Sequence, residues 1–481
     1  MSNAAFLLPA ALCLVTSCAS TPEPEADGRV EPTWESIRSH EVPEWFHDAK
    51  LGIMVCWGLY SVPAWATPTG ELGKIDWDVW FRRNPYAEWY WNTLKIDGSP
   101  TQRHHLATYG EDFGYLDFIP QFNEAAKSWE PERMAGQLAD AGAQYVVLVS
   151  KFHDGFPLWP SGVNNPNRSA SQQHAERDIV GDLTKAVRAR DMRMGLYYSG
   201  GLDWSFTQTP VQTREDVSGT IPHTDEYARY ADAQWRELID CYEPDVLWND
   251  IGYPRQGDLA NMFADYYNRF PDGLINNRFE TRLPEGPERH HDFVTPEYAQ
   301  MDEITDHKWE SCRGLGFSFG YNQVEGLEHT LSAQALIHLL VDIVSKNGNL
   351  LLDVGPRADG SIPEIQLERL RALGRWLRVN GEAIYGSRPW QRAEGKTAGG
   401  LDVRFTRKED AIYAVLLGRP PAGEITIESV AVGDGSSVGL LGGPEVLEHR
   451  SEGGSLVVTL PSDLPEAHAY TLKIASTGDF R

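Results

Sequence analysis

The sequence predicts an α/β protein: a (β/α)8-type, TIM-like barrel followed by a small C-terminal antiparallel β-sandwich. Three observations carry that reading. Five short runs, Leu51 to Trp57, Tyr145 to Ser150, Met194 to Ser199, Asp245 to Trp248 and Asn349 to Val354, are apolar without strict alternation. Parallel strands covered on both faces read this way. Amphipathic helical stretches lie between the runs, and alternation of strand and helix over such a length argues for an α/β architecture. After Trp390 the texture changes to Gly-rich turns separating short alternating runs, the pattern of an antiparallel sandwich.

In chain order, the first element is an address. Phe6 to Val15 is apolar but too short to span a bilayer as a mature helix, so residues 1–18 read as an export signal. It ends in Val15-Thr16-Ser17-Cys18, which resembles a bacterial lipobox. Cys18 is therefore the expected lipidation site, and a periplasmic or outer-membrane lipoprotein the expected form. A polar, Pro-rich tether follows over residues 19–33. The barrel is expected over residues 34–392. Its helices include one opened by Pro131, with Met134, Leu138 and Ala141 at helical spacing and Gly142 at its end. Others are Arg177 to Arg190, Tyr227 to Tyr242, Leu331 to Ser345 and Ile365 to Val379, each with apolar residues at i, i+3 and i+4. The sandwich is expected over residues 393–481, from runs such as Val403 to Thr406, Ile412 to Leu416, Ile425 to Val430 and Leu456 to Leu460.

Composition narrows the function. The 481 residues carry 43 Lys and Arg against 69 Asp and Glu, a net charge of −26. Such a surface repels phosphate backbones, which excludes nucleic acid as the main partner and leaves the membrane only through the N-terminal anchor. Five cysteines without a CxxC pair exclude a disulfide scaffold and a cysteine zinc module. No phosphate-cradling glycine motif occurs, so no nucleotide cofactor is expected. No metal is expected either. Sixteen Trp among 11% aromatics suit a core and also suit stacking on sugar rings. Oligomeric state is not legible.

In a barrel, the loops that carry chemistry converge at the C-terminal ends of the strands. Here the runs end in Cys56-Trp57, Phe152-His153-Asp154, Tyr197-Tyr198 and Trp248-Asn249-Asp250. Two carboxylates across one sugar-sized cavity suffice for glycoside hydrolysis. One faces the anomeric carbon and one protonates the leaving oxygen, and a separation of roughly 5–5.5 Å makes the first a nucleophile.

The motifs taken together are more specific. AKLGIMVCWGLYSVPAW (Ala49 to Trp65), YAEWY (Tyr86 to Tyr90), KFHDGF (Lys151 to Phe156), YYSGGLDWSF (Tyr197 to Phe206), PDVLWND (Pro244 to Asp250), NNR (Asn276 to Arg278), KWESCRGLGFSFGYN (Lys308 to Asn322), NLLLDVGPRADGSIP (Asn349 to Pro363) and GEAIYGSRPW (Gly381 to Trp390) occur in order. From Trp45 to Trp390 the chain resembles glycoside hydrolase family 29, the α-L-fucosidase family, and more loosely through the C-terminal domain. The resemblance implies a retaining exo-α-L-glycosidase acting on oligosaccharide or glycoconjugate by double displacement. It implies Asp250 as nucleophile and Glu297 of TPEY as acid/base, with Glu310 of KWE as a rival. Arg278 is implied as a sugar-binding arginine whose charge helps keep Asp250 ionised. Trp89 is implied as an indole donor to a sugar hydroxyl, and Trp248 and Phe319 as walls around the fucose methyl. Cys56, Trp57, Phe152, His153 and Tyr198, at strand ends, complete the expected pocket.

Two positions depart from the family's usual HWG and HHDGF. Cys56 and Phe152 stand where most members have histidines that hold hydroxyls on the C3–C4 side of fucose. A thiol hydrogen-bonds weakly and a phenyl ring not at all. Weaker binding of fucose is therefore expected, with three readings open. They are an α-L-fucosidase, an α-L-glucosidase or α-L-galactosidase with a shifted glycone, and a catalytically silent carbohydrate-binding relative.

Overall fold

A computed structural model of the chain describes residues 28–280, 289–433 and 435–475. Cys18 and the export signal lie outside the described residues. Seven parallel strands form one curled sheet: β1 (Leu51–Val55), β2 (Tyr145–Lys151), β3 (Arg193–Ser199), β4 (Val246–Asp250), β5 (Leu274–Ile275), β6 (Trp309–Gly314) and β7 (Gly348–Val354). Their order is β5-β4-β3-β2-β1-β7-β6. The two edges meet through the segment 293–297. Phe293 bridges Asn276 just beyond β5, while Val294 and Glu297 bridge Trp309 and Cys312 of β6, all in the parallel sense. The ring thus runs in chain order, with residues 293–297 in the eighth position between β5 and β6.

Successive strand residues point to opposite faces. On β1 and just beyond it, Met54 and Cys56 join the cluster inside the ring, whereas Ile53, Val55 and Trp57 join the layer under the helices. On β3, Tyr197 faces inward and Met194, Leu196 and Tyr198 face outward. This alternation corrects two expected pocket residues. Trp57 packs on Phe122 and Trp129, with ring centroids 5.4 and 5.0 Å away. Tyr198 donates its hydroxyl to Gln234 at 2.9 Å, and the Lys151 ammonium lies 4.3 Å from the centre of its ring. Both are core residues behind the wall, because neighbours of Cys56 and Tyr197 cannot share their face.

Eight antiparallel strands follow: β8 (Arg388–Lys396), β9 (Asp402–Lys408), β10 (Ala411–Leu416), β11 (Gly423–Ile427), β12 (Ser437–Leu440), β13 (His449–Glu452), β14 (Ser455–Leu460) and β15 (Tyr470–Ala475). A sheet ordered β12-β15-β10-β9-β8 and a smaller one ordered β11-β14-β13 share one apolar core, including Phe405, Ile412, Ile425, Leu456 and Leu472. The change of texture near Arg392 falls within β8. The sandwich is fastened to the barrel by the Trp376 indole donating to Ala469 O at 3.0 Å and by Arg404 on Asp342 at 2.6 Å.

Candidate active site

Asp250 ends β4, and its carboxylate is held from two sides. Tyr197 Oη donates to Oδ2 at 2.7 Å and Arg278 Nη1 to Oδ1 at 2.9 Å. The backbone around it is locked by amides. Asn276 donates from Nδ2 to Asn249 O at 3.0 Å and accepts from Asn249 N at 3.1 Å. Asn249 Nδ2 donates to Gly252 O and Arg278 O at 2.8 and 2.9 Å. The NNR motif therefore works residue by residue: Asn276 ties β4, Asn277 Oδ1 accepts from Thr295 N and Oγ1 at 3.1 and 3.0 Å, and Arg278 carries the charge.

Arg278 joins the two carboxylates the sequence singles out. The Nη1 that reaches Asp250 also donates to Glu297 Oε2 at 3.3 Å, while Nε holds Thr295 Oγ1 at 2.7 Å and Nη2 holds Thr295 O at 3.0 Å. Burial alone would lower the guanidinium pKa, but Asp250 and Glu297 outweigh it and raise it, so the charge is permanent. Glu297 Oε1 also accepts from Tyr86 Oη at 2.8 Å. Both acids sit immediately before a residue in left-handed backbone, Ile251 at φ 59° and Tyr298 at φ 50°. For a β-branched residue such as Ile251 that conformation is a true outlier, and such strain gathers at functional sites.

Glu310 is placed differently. It is fully buried beneath the pocket floor, accepting from Trp248 Nε1 at 2.9 Å and from Tyr145 Oη at 2.5 Å. Burial pushes its carboxyl up to about 7. It does not line the cavity; it holds the Trp248 indole, which stacks on Tyr197 at 5.3 Å and carries Arg278 4.7 Å above its ring.

Asp250, Glu297 and Arg278 open into one cavity of about 650 Å³, lined also by Cys56, Trp89, Phe152, His153, Trp248 and Phe319. His153 Nδ1 lies 2.6 Å from Ser199 Oγ, whose own proton goes to Leu202 O at 2.6 Å. This assigns the imidazole proton to Nδ1 and leaves Nε2, 3.8 Å from Asp250, as an acceptor facing the cavity. Burial takes His153 down to about 4, so the ring is neutral. Cys56 Sγ lies 3.2 Å from Tyr60 Oη, and burial pushes its thiol well up. Phe152 packs edge-on to Tyr60 at 5.4 Å and along Tyr197 at 6.0 Å. Glu88 also lines the cavity, lifted by burial to about 7 while accepting from Gly320 N at 2.8 Å and Ser318 Oγ at 3.0 Å.

Tyr197, Tyr86, Thr295 and Glu88 escaped the sequence reading as site residues. Tyr197 was recoverable from the period of two along β3, and Glu88 from its place in YAEWY beside Trp89. Nothing in the sequence connects Tyr86 to Glu297, 211 positions away. Away from the cavity, His40, His290 and Asp292 bring three candidate metal-ligand atoms together. Internal bonds already engage them: His40 Nδ1 to Asp292 at 2.7 Å and Nε2 to Pro271 O at 2.9 Å, and His290 Nε2 to Tyr267 Oη at 2.8 Å.

Residues 17–382 match the family model described as alpha-L-fucosidase. The chain belongs to the alpha-L-fucosidase family. Residues 399–475 match the alpha-L-fucosidase C-terminal domain. The tissue alpha-L-fucosidase of Homo sapiens is 32% identical over 468 residues, covering 93% of this chain and 92% of that protein. The alpha-L-fucosidase of Dictyostelium discoideum is likewise 32% identical, with 92% and 94% covered. Among solved structures, Thermotoga maritima alpha-fucosidase in complex with fucose is 46% identical, with a TM-score of 0.83 over 93% of this chain and all of that one. The fold of this family member, a parallel barrel with an antiparallel C-terminal domain, is therefore the fold of its relatives.

Proposed function

We propose that this chain is a retaining exo-α-L-glycosidase of the α-L-fucosidase type, removing terminal α-L-fucosyl residues from oligosaccharides or glycoconjugates. The observation that carries the reading is the pair of carboxylates on one arginine nitrogen. Oxygens held at 2.9 and 3.3 Å from the same Nη1 lie closer together than the roughly 6.5–9.5 Å that an inverting pair leaves for water. In the first step Asp250 attacks C1 of the glycone while Glu297 gives its proton to the departing oxygen. The C1–O bond to the aglycone breaks as the ester to Asp250 forms. Glu297, now a base, takes a proton from water, whose oxygen attacks C1 from the vacated side and returns Asp250 as carboxylate. Arg278 stabilises the Asp250 carboxylate before attack and again when hydrolysis returns it, and Tyr197 aims its second oxygen. Glu310 is too deep to reach a leaving group, which supports Glu297 as the acid/base.

A second reading concerns the glycone. Cys56 and Phe152 give the β1–β2 side of the cavity a weakly bonding wall, which favours a shifted sugar such as an α-L-galactoside or α-L-glucoside. Rates on aryl α-L-fucoside, α-L-galactoside and α-L-glucoside separate the two. A wide margin for fucoside removes the second reading, and a win for either other sugar removes the first. Export with a lipid on Cys18 is proposed from the lipobox-like motif. Cys18→Ala should release the protein from membranes, and unchanged fractionation contradicts the anchor.

A further inference from the structure

The cavity continues beyond the carboxylates. Its outer wall comes from two short helices, Trp77–Arg82 and Arg214–Gly219, which contribute Trp77, Phe81, Arg214 and Val217 to the same lining as Asp250 and Glu297. Trp77 is 36% exposed although it lines the cavity. The Arg214 guanidinium lies 5.2 Å from the centre of its ring and is itself exposed. This wall is connected to the acid/base side of the site. Tyr86, which donates to Glu297, meets Trp80 edge-on at 4.8 Å, and Trp80 meets Trp77 at 6.1 Å. Glu297 is also the more open of the two acids, its side chain 25% accessible against 10% for Asp250. The leaving oxygen protonated by Glu297 must therefore emerge on this side.

Resting on the catalytic reading above, we infer that Trp77 and Arg214 form an aglycone subsite for a second pyranose ring. The apolar C–H face of that ring would lie on the exposed indole surface of Trp77 that Arg214 does not cover, and Arg214 beside it would donate to one of the sugar's hydroxyls. A broad indole suits the apolar face of a sugar, and a guanidinium edge suits the hydroxyls around its rim. The preferred substrate is then an α-L-fucosyl disaccharide or longer glycan, and a small leaving group forgoes the added contact.

The test compares two substrates in the full chain: α-L-fucosyl fluoride, whose leaving group reaches no outer wall, and the fastest-cleaved of a panel of α-L-fucosyl-galactose and α-L-fucosyl-N-acetylglucosamine disaccharides. Trp77→Ala should lower the ratio of kcat/KM for disaccharide over fluoride by roughly tenfold, the scale of one stacking contact of about 1.4 kcal/mol. Arg214→Ala should lower it by a smaller factor, and because Arg214 is an exposed side chain its loss tests the subsite even if Trp77→Ala folds poorly. Equal losses on both substrates, or an unchanged ratio in both variants, would overturn the subsite and leave the roles of Asp250 and Glu297 standing. Fluoride turnover by wild type with no disaccharide cleaved would do the same. Failure on the fluoride itself would instead strike the catalytic reading.

Discussion

The two sides of the cavity are built on opposite principles. At the ends of β4 and the 293–297 arm, Asp250 and Glu297 share the Arg278 guanidinium and are fastened by Tyr197, Tyr86 and Thr295. At the ends of β1 and β2, Cys56 is a neutral thiol, His153 a neutral imidazole, and Phe152 offers no polar atom. Burial raises the Cys56 thiol pKa and lowers that of the His153 imidazole, which keeps both groups neutral. On the proposed mechanism the lesson is that chemistry and recognition are separable. The side proposed to break the bond is over-determined by hydrogen bonds, whereas the side proposed to hold the sugar can exchange residues while the carboxylates stay in place.

The largest effect that tests this division is on the charged side. Asp250→Gly should lower kcat on an aryl α-L-fucoside by at least roughly 10⁴-fold. Azide should restore turnover and give a product of inverted configuration, read by NMR; wild-type-like activity would end the nucleophile assignment. Next, Glu297→Ala should cost roughly 10²- to 10⁴-fold on poor leaving groups and far less on good ones. Equal loss across a leaving-group series would contradict a proton-donor role.

On the neutral side, restoring histidine at Cys56 and Phe152 together should raise kcat/KM for α-L-fucoside by roughly tenfold, the value of one regained hydrogen bond. No gain in steady-state assays would mean that wall does not limit fucose binding. The adjacent residue should behave otherwise: Trp57→Ala, in the helix layer, should lose about 3–5 kcal/mol of stability in denaturant unfolding with little change in substrate preference. A changed preference would return Trp57 to the pocket.

That pair also marks how far the sequence could be read. Five of the barrel strands were visible as apolar runs because parallel strands buried on both faces are written that way. β5 escaped at two residues, and β6 escaped because WESCRG turns Glu310, Cys312 and Arg313 into a buried strand. The eighth position, 293–297, is held by isolated bridges and carries no strand pattern at all. Within the site, Asp250, Glu297 and Arg278 were named from motifs. Trp57 and Tyr198 lie outside the cavity because only alternate residues at a strand end face inward. Tyr86 on Glu297 depends on how far loops travel, which spacing does not encode.

The smallest effect concerns Glu310. The folded protein keeps this acid protonated up to about 7, above its ordinary value of 4.5 in the unfolded chain. Its contribution to stability is therefore fully present below 4.5 and fades as pH rises through 7. Glu310→Gln should gain Tm relative to wild type across that window, in a comparison by scanning calorimetry. A difference independent of pH would contradict a protonated Glu310.

The central claim is that Asp250 makes the bond to the sugar. It is tested most directly by inactivating the enzyme with 2-deoxy-2-fluoro-α-L-fucosyl fluoride and sequencing the digested adduct by mass spectrometry. The account predicts one fluorosugar per chain, on the peptide carrying Asp250. A label on Glu297 or Glu310, or inactivation without any label, would contradict it.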